Sequence, residues 1–279
     1  MKKVLIPTDF SDNAWDALTY AIRLYDDIPC VFYILNTYET NPSKMPNTMH
    51  QFAARKVARL LKKESEENLA KILAHLNDNM LNSKHEYKGI SKIGSLSAVI
   101  QYVTEKEYID VIVMGSKGAT GLKEIFMGSN TVKVIKEGFC PTVCVPEKYK
   151  YEELEQVIFA TDFKKHLSKQ DVRCLIELQL LHRFNIRFIH IKKESELSEK
   201  QQHTMDSLKS YFENDLISFE EIESDAPLSK AITTFAENEN ANLLCLANYE
   251  HSFMEKLTHE PVIKRVGFHT QIPLLILPV

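Results

Sequence analysis

Two stretches of this chain repeat each other at both ends of a common pattern. Val4-Leu5-Ile6-Pro7-Thr8-Asp9-Phe10 returns as Val157-Ile158-Phe159-Ala160-Thr161-Asp162-Phe163, an offset of 153 residues. Both are apolar runs that end in Thr-Asp-Phe and lead into a polar helix start. Pro141 and Pro146 return as Pro273 and Pro278, an offset of 132, which also sets Leu96, Ser97 and Ile100 on Leu228, Ser229 and Ile232. Matched ends around a middle that is 21 residues shorter in the second copy point to an internal duplication. The 279 residues accommodate about two domains.

Each copy alternates short apolar runs with amphipathic ones. In the first, Val4 to Pro7 reads as a strand, and Asp12 to Tyr25 as a helix with Ala14, Ala17, Leu18, Ala21 and Ile22 on one face. Val31 to Leu35 is a strand, Gln51 to about Met80 a long helix, and His85 to Ile90 a weak strand. Ser97 to Lys106, Asp110 to Met114, Asn130 to Glu137 and Thr142 to Val145 continue as helix, strand, helix, strand. Strands that are apolar on both faces belong to a parallel sheet covered on both sides. The βαβ order gives right-handed crossovers and a doubly wound α/β fold. Ligands in such sheets bind beyond the carboxyl ends of the strands. The loops Pro7-Thr8-Asp9, Leu35-Asn36 and Gly115 to Gly118 all leave such ends and can converge on one crevice.

Composition narrows the classes. A formal net charge of -4 argues against a general nucleic-acid binder. The charge is uneven, +3 over residues 1–150 and -7 over the rest. No apolar run approaches the ~20 residues of a membrane span, and the N-terminus has no signal-peptide core. Cys30, Cys140, Cys144, Cys174 and Cys245 include no C-x-x-C pair and read as reduced, mostly buried thiols. A cytoplasmic location is the expectation. The histidines show no metal-ligand spacing, and no nucleophile elbow or base-paired cysteine is present.

The chemistry concentrates after the run Val111-Ile112-Val113-Met114. Gly115-Ser116-Lys117-Gly118 follows it, then Gly128-Ser129-Asn130-Thr131 at a helix start. Glycines let backbone amides approach a phosphate, and a helix N-terminus offers unpaired amides and a positive dipole end. The spacing is neither a Walker A loop nor a dinucleotide fingerprint. Turn-making alone is the competing reading for these glycines. Asp9 either caps the next helix or contacts a sugar or a metal beside phosphates. Lys117 is a phosphate contact or a solvated loop lysine.

Met114-Gly115-Ser116-Lys117-Gly118, nine residues, then Gly128-Ser129-Asn130-Thr131 resembles the G-2x-G-9x-G-S/T motif of the universal stress proteins. The start, Val4 to Ser11, looks like the family's first strand and turn. Cys140-Pro141-Thr142-Val143-Cys144-Val145-Pro146 looks like its closing strand. The whole chain resembles a tandem universal stress protein, with one domain over residues 1–149 and a degenerate one over 150–279. The resemblance implies two five-stranded, Rossmann-like parallel α/β domains of the HUP type. These would pair through Val143 to Val145 and Leu274 to Ile276 as an intramolecular pseudo-dimer. It further implies ATP as the ligand, with or without magnesium. Pro7, Thr8, Asp9 and Leu35 would lie near the nucleoside, and Met114, Gly115, Gly118, Gly128, Ser129, Asn130 and Thr131 around ribose and phosphates.

The second copy departs from the motif. At offset 132, Gly115, Gly118, Gly128 and Ser129 become Ala247, Glu250, Glu260 and Pro261. Two carboxylates there would repel a triphosphate. One ATP site is therefore expected, in the first half, serving a stress-response sensor or binding module. The alternatives are a slow ATPase or phosphotransferase using Asp9 and a metal, and an interaction protein with a vestigial site. A protein partner and a further homodimer are left open, as is whether Asn41 to Asn47 covers the nucleotide or is a loose loop.

Overall fold

The computed structural model describes residues 1–40, 50–80, 82–117, 127–192, 197–248 and 262–279. The first half contains β1 (Lys2–Pro7), α1 (Asp12–Leu24), β2 (Cys30–Tyr38), α2 (His50–Asn79), β3 (His85–Ile93), α3 (Leu96–Glu107), β4 (Val111–Gly115), α4 (Ser129–Glu137) and β5 (Thr142–Val145). The second contains β6 (Gln156–Ala160), α5 (Arg173–His182), β7 (Asn185–Lys192), α6 (Glu199–Tyr211), β8 (Ile217–Glu223), α7 (Leu228–Asn238), β9 (Leu243–Asn248), α8 (Val262–His269) and β10 (Leu274–Pro278). The shortened middle of the second copy is visible in the helices: 13 residues in α6 against 30 in α2.

The ten strands form one sheet in the order β3-β2-β1-β4-β5-β10-β9-β6-β7-β8. Each half has the same internal order, all parallel. The halves meet at β5 and β10, which pair antiparallel with Cys144 opposite Leu274, Val143 opposite Leu275 and Thr142 opposite Ile276. Strand register reproduces both sequence offsets. Val4 stands beside Val111 as Val157 stands beside Leu243. Gly115 stands beside Val145 as Ala247 stands beside Leu277.

On one side of the sheet a single apolar cluster runs through both halves, from Val4, Ala17 and Phe32 to Phe159, Leu175 and Phe188. The other side carries two clusters, one under α3 and α4, the other under α7 and α8. Central strand residues such as Val143 and Leu275 are fully buried. Each such side chain contributes roughly 1.5–3 kcal/mol relative to an exposed one, so the joint between the halves is core.

α1 follows its sequence signals. The Ser11 hydroxyl accepts from the Ala14 amide as the N-cap, and Ala14, Ala17, Leu18, Ala21 and Ile22 are buried at the helical period. The second strand corrects an expectation. It does not end at Leu35 but runs on to Tyr38, because β3 extends to Ile93 and supplies ladder partners for Asn36, Thr37 and Tyr38.

Candidate functional site

The carboxyl ends of β1, β2 and β4 lie side by side. The Thr8 amide donates to the Leu35 carbonyl at 2.8 Å, and the Asn36 side-chain amide donates to the Thr8 carbonyl at 2.7 Å. β1 pairs parallel with β4, Val4 opposite Val111 and Leu5 opposite Ile112, so both strands end on the same side of the sheet.

The turn after β1 is held by its own side chains. Thr8 Oγ1 accepts from the Phe10 amide at 3.0 Å, and Asp9 Oδ1 accepts from the Ser11 amide at 3.1 Å. Phe10 takes a left-handed φ of 64°. The second half repeats this turn. Thr161 Oγ1 accepts from Phe163, Asp162 Oδ1 accepts from Lys164, and Phe163 has a φ of 55°. Asp9 thus has a turn-forming task that Asp162 shares, while Ser11 is the helix cap.

The loop after β4 is tied down by Asn13. This buried side chain donates through Nδ2 to the Val145 carbonyl at 3.1 Å. Its Oδ1 accepts from the Lys117 amide at 2.8 Å. The Ser116 amide also reaches the Val145 carbonyl, at 2.8 Å. Gly115 is small because of Asn13. A Cβ built on it would stand 2.5 Å from Asn13 Oδ1 and 3.0 Å from the Asn13 carbonyl oxygen.

The chain returns to this point after residues 118–126. The Gly128 amide donates to the Ser116 carbonyl at 2.7 Å, and the Thr131 hydroxyl to the Gly115 carbonyl at 3.0 Å. α4 therefore begins at the exit of β4. Its N-cap, Gly128, gives no side-chain cap, and Ser129 and Asn130 in the first turn are exposed. Uncapped first-turn amides at a strand exit are able to hold an anion. Lys117 is paired with Glu147 at 2.8 Å, and this neighbour holds the Glu147 carboxyl below its ordinary range.

The structure brings Thr8, Asp9, Gly115, Gly128, Ser129, Asn130 and Thr131 to one end of the sheet. Pro7, Leu35 and Met114 are buried strand residues there, so their side chains face the core. Gly118 lies outside the described residues, as do 41–49 and the second-half positions Glu250, Glu260 and Pro261. Asn13 was not among the sequence candidates. Its signal was faint: a polar residue in a first helical turn normally faces water. Among the described residues, no group of three or more acidic, histidine or cysteine side chains is arranged to hold a metal.

Among the described residues, the second half does not repeat the Asn13 fastening. By the offset of 153 His166 takes the place of Asn13, and it is exposed, with no helix until Arg173. By the offset of 132 Ile263 replaces Thr131 and Ala247 replaces Gly115.

Residues 1–146 match the universal stress protein family model. The chain belongs to the universal stress protein family. Two universal stress proteins of Methanocaldococcus jannaschii are similar to it. One is 29% identical over 150 residues, covering 53% of this chain and 84% of its own. The other is 28% identical over 158 residues, covering 53% and 96%. A solved universal stress protein from Archaeoglobus fulgidus matches the fold of the whole chain, with a TM-score of 0.66, 16% identity and coverage of 99% and 96%. Two halves of one fold thus lie within one chain. No helix among the described residues is long and apolar enough to cross a membrane.

Proposed function

We propose that this universal stress protein binds ATP at one site, built by residues 1–149, and acts in the cytoplasm as a nucleotide-dependent sensor or binding module. Residues 150–279 are the degenerate domain that completes the sheet. The observation that carries this reading is the return of Gly128 to Ser116, which sets an uncapped helix N-terminus at the exit of β4. An anion there gains about 0.3–1 kcal/mol from the helix dipole alone at an exposed site. Gly118, Ser129, Asn130 and Thr131 complete the phosphate end. Thr8 and Asp9, with the backbone of Pro7 and Leu35, form the nucleoside end.

Binding without efficient turnover is favoured because Asp9 is engaged in a turn that Asp162 repeats where the motif is lost. Incubation with ATP and magnesium, followed by separate assay of bound and released nucleotide, tests this. Retained ATP with no multiple turnover is expected. Turnover abolished by Asp9→Asn would establish the enzyme reading, and absence of binding the vestigial one.

A further inference from the structure

Joining β5 to β10 covers two sheet edges and leaves two open, β3 at one end and β8 at the other. Both are long enough to pair, nine and seven residues. Among the described residues no further strand lies outside either. An exposed edge strand is a template for another strand unless something opposes pairing.

The two edges carry opposite charge. Residues 84–92 contain Lys84, Lys88 and Lys92 with one carboxylate, Glu86. Residues 213–225 contain six carboxylates and no lysine or arginine. On β3, Lys88 and Lys92 share the side of the sheet that bears Tyr33, the register partner of Lys88. The α3 residue Lys106 adds to this patch: its ammonium and that of Lys92 lie over the same Tyr102 ring, at 5.8 and 3.2 Å from its centre. On β8, Glu220 pairs in register with Ile189. Tyr33 and Ile189 belong to the clusters under α3 and α7, which share one side of the sheet, as the pairing of Met114 with Cys144 shows. Lys88, Lys92 and Glu220 therefore project from the same side. Lys88 has Glu86 at 3.0 Å, and Glu213, Glu220 and Glu221 have Arg183, Arg187 and Lys192 at 3.4, 3.4 and 3.5 Å. Among the described residues Lys92 on one edge and Asp215, Glu223 and Asp225 on the other are in no ion pair, so each edge keeps its sign.

Charges that only guard edges against pairing would serve best with one sign on both, so that copies repel. Opposite signs attract. Strand direction is also compatible. All pairings are parallel except β5 with β10, so β3 and β8 run in opposite directions within one chain. A second copy displaced along the sheet brings its β3 antiparallel to β8 of the first, repeating the pairing type at the centre of the molecule.

We propose that the acidic β8 edge is a docking surface for the basic β3 edge of a second copy of this chain. The contact is heterologous, so it does not close at two copies and adds further ones head to tail. Because the charges are exposed, the association is strong at low salt and lost at high salt, where the screening length falls below ~10 Å.

The full chain is followed by light scattering across a concentration series at low and high salt. The expected result is a mass that rises above 32.1 kDa with concentration at low salt and returns to it at high salt. Lys88→Glu with Lys92→Glu makes the β3 edge acidic like β8, and Glu220→Lys with Glu223→Lys leaves strand β8 itself with two lysines and one carboxylate, so that it repels β3. Each double variant alone is expected at monomer mass, with wild-type circular dichroism to show that it folds. Their equal mixture is expected to associate again, since each supplies the edge the other needs. Wild-type protein that stays monomeric at low salt, association that ignores salt, or a folded mixture that fails to associate overturns the proposal.

Discussion

Gly115 and Asn13 are in such close contact that a Cβ on Gly115 would lie 2.5 Å from Asn13 Oδ1. This glycine serves packing first: it lets the start of α1 sit against the end of β4. Gly115→Ala should cost about 1–3 kcal/mol as an overpacked site, because backbone and a twice-bonded amide must both move. Urea denaturation of the variant checks this. An unchanged midpoint would mean that the loop yields freely.

Asn13 holds the loop after β4 through Lys117 and the end of β5 through Val145. Asn13→Ala leaves the Lys117 amide without this partner, and such losses cost about 1–3 kcal/mol in a buried setting. The variant should lose stability and also weaken ATP binding, since Ser116 and Gly128 depend on the same loop. Calorimetric titration beside thermal unfolding measures both effects. Full retention of affinity would show that the helix start is held without Asn13.

The strands of the first half and the parallel sheet were legible because buried parallel strands are apolar throughout, as in Val111 to Met114, and the duplication because the two halves echo each other; the order of the strands came from the structure. The joint of Val143 to Val145 with Leu274 to Ile276 followed from the family resemblance, and its antiparallel sense from the structure. Asn13 was not, since its value comes from a carbonyl 132 residues away in sequence. The end of β2 was missed for a related reason: Asn36 and Thr37 look like loop residues until β3 provides their ladder. The turn task of Asp9 became clear only when Asp162 was seen in the same geometry.

The five cysteines are all buried. Burial pushes the thiols of Cys30, Cys140 and Cys144 up to about 12 and that of Cys174 up to about 11, and raises Cys245 well above its usual value. The thiolate is the reactive form. At pH 8 the folded protein should react very slowly with alkylating reagents, and all five thiols should react in urea. Mass spectrometry of the alkylated chain counts them.

His182 lies at the seam between the halves, with Nε2 2.8 Å from the Leu24 carbonyl at the end of α1. Burial lowers its pKa below the usual 6.5, more than the Leu24 carbonyl, Asp27 and Glu153 raise it. The unfolded chain therefore binds the proton more readily, and stability rises with pH across this range. This stability is complete above about 6.5 and is lost as pH falls through the lower folded value. His182→Gln should flatten that part of the profile in urea midpoints taken between pH 7 and 5. An unchanged slope would assign it to other groups.

With the glycine motif kept only in the first half, the chain should hold one nucleotide. Titration of the full chain with ATP, read as moles bound per chain, tests it most directly. One site per chain is predicted, abolished by Gly118→Glu, which copies Glu250 of the second half. Two equal sites per chain, or one site that survives Gly118→Glu, would contradict it.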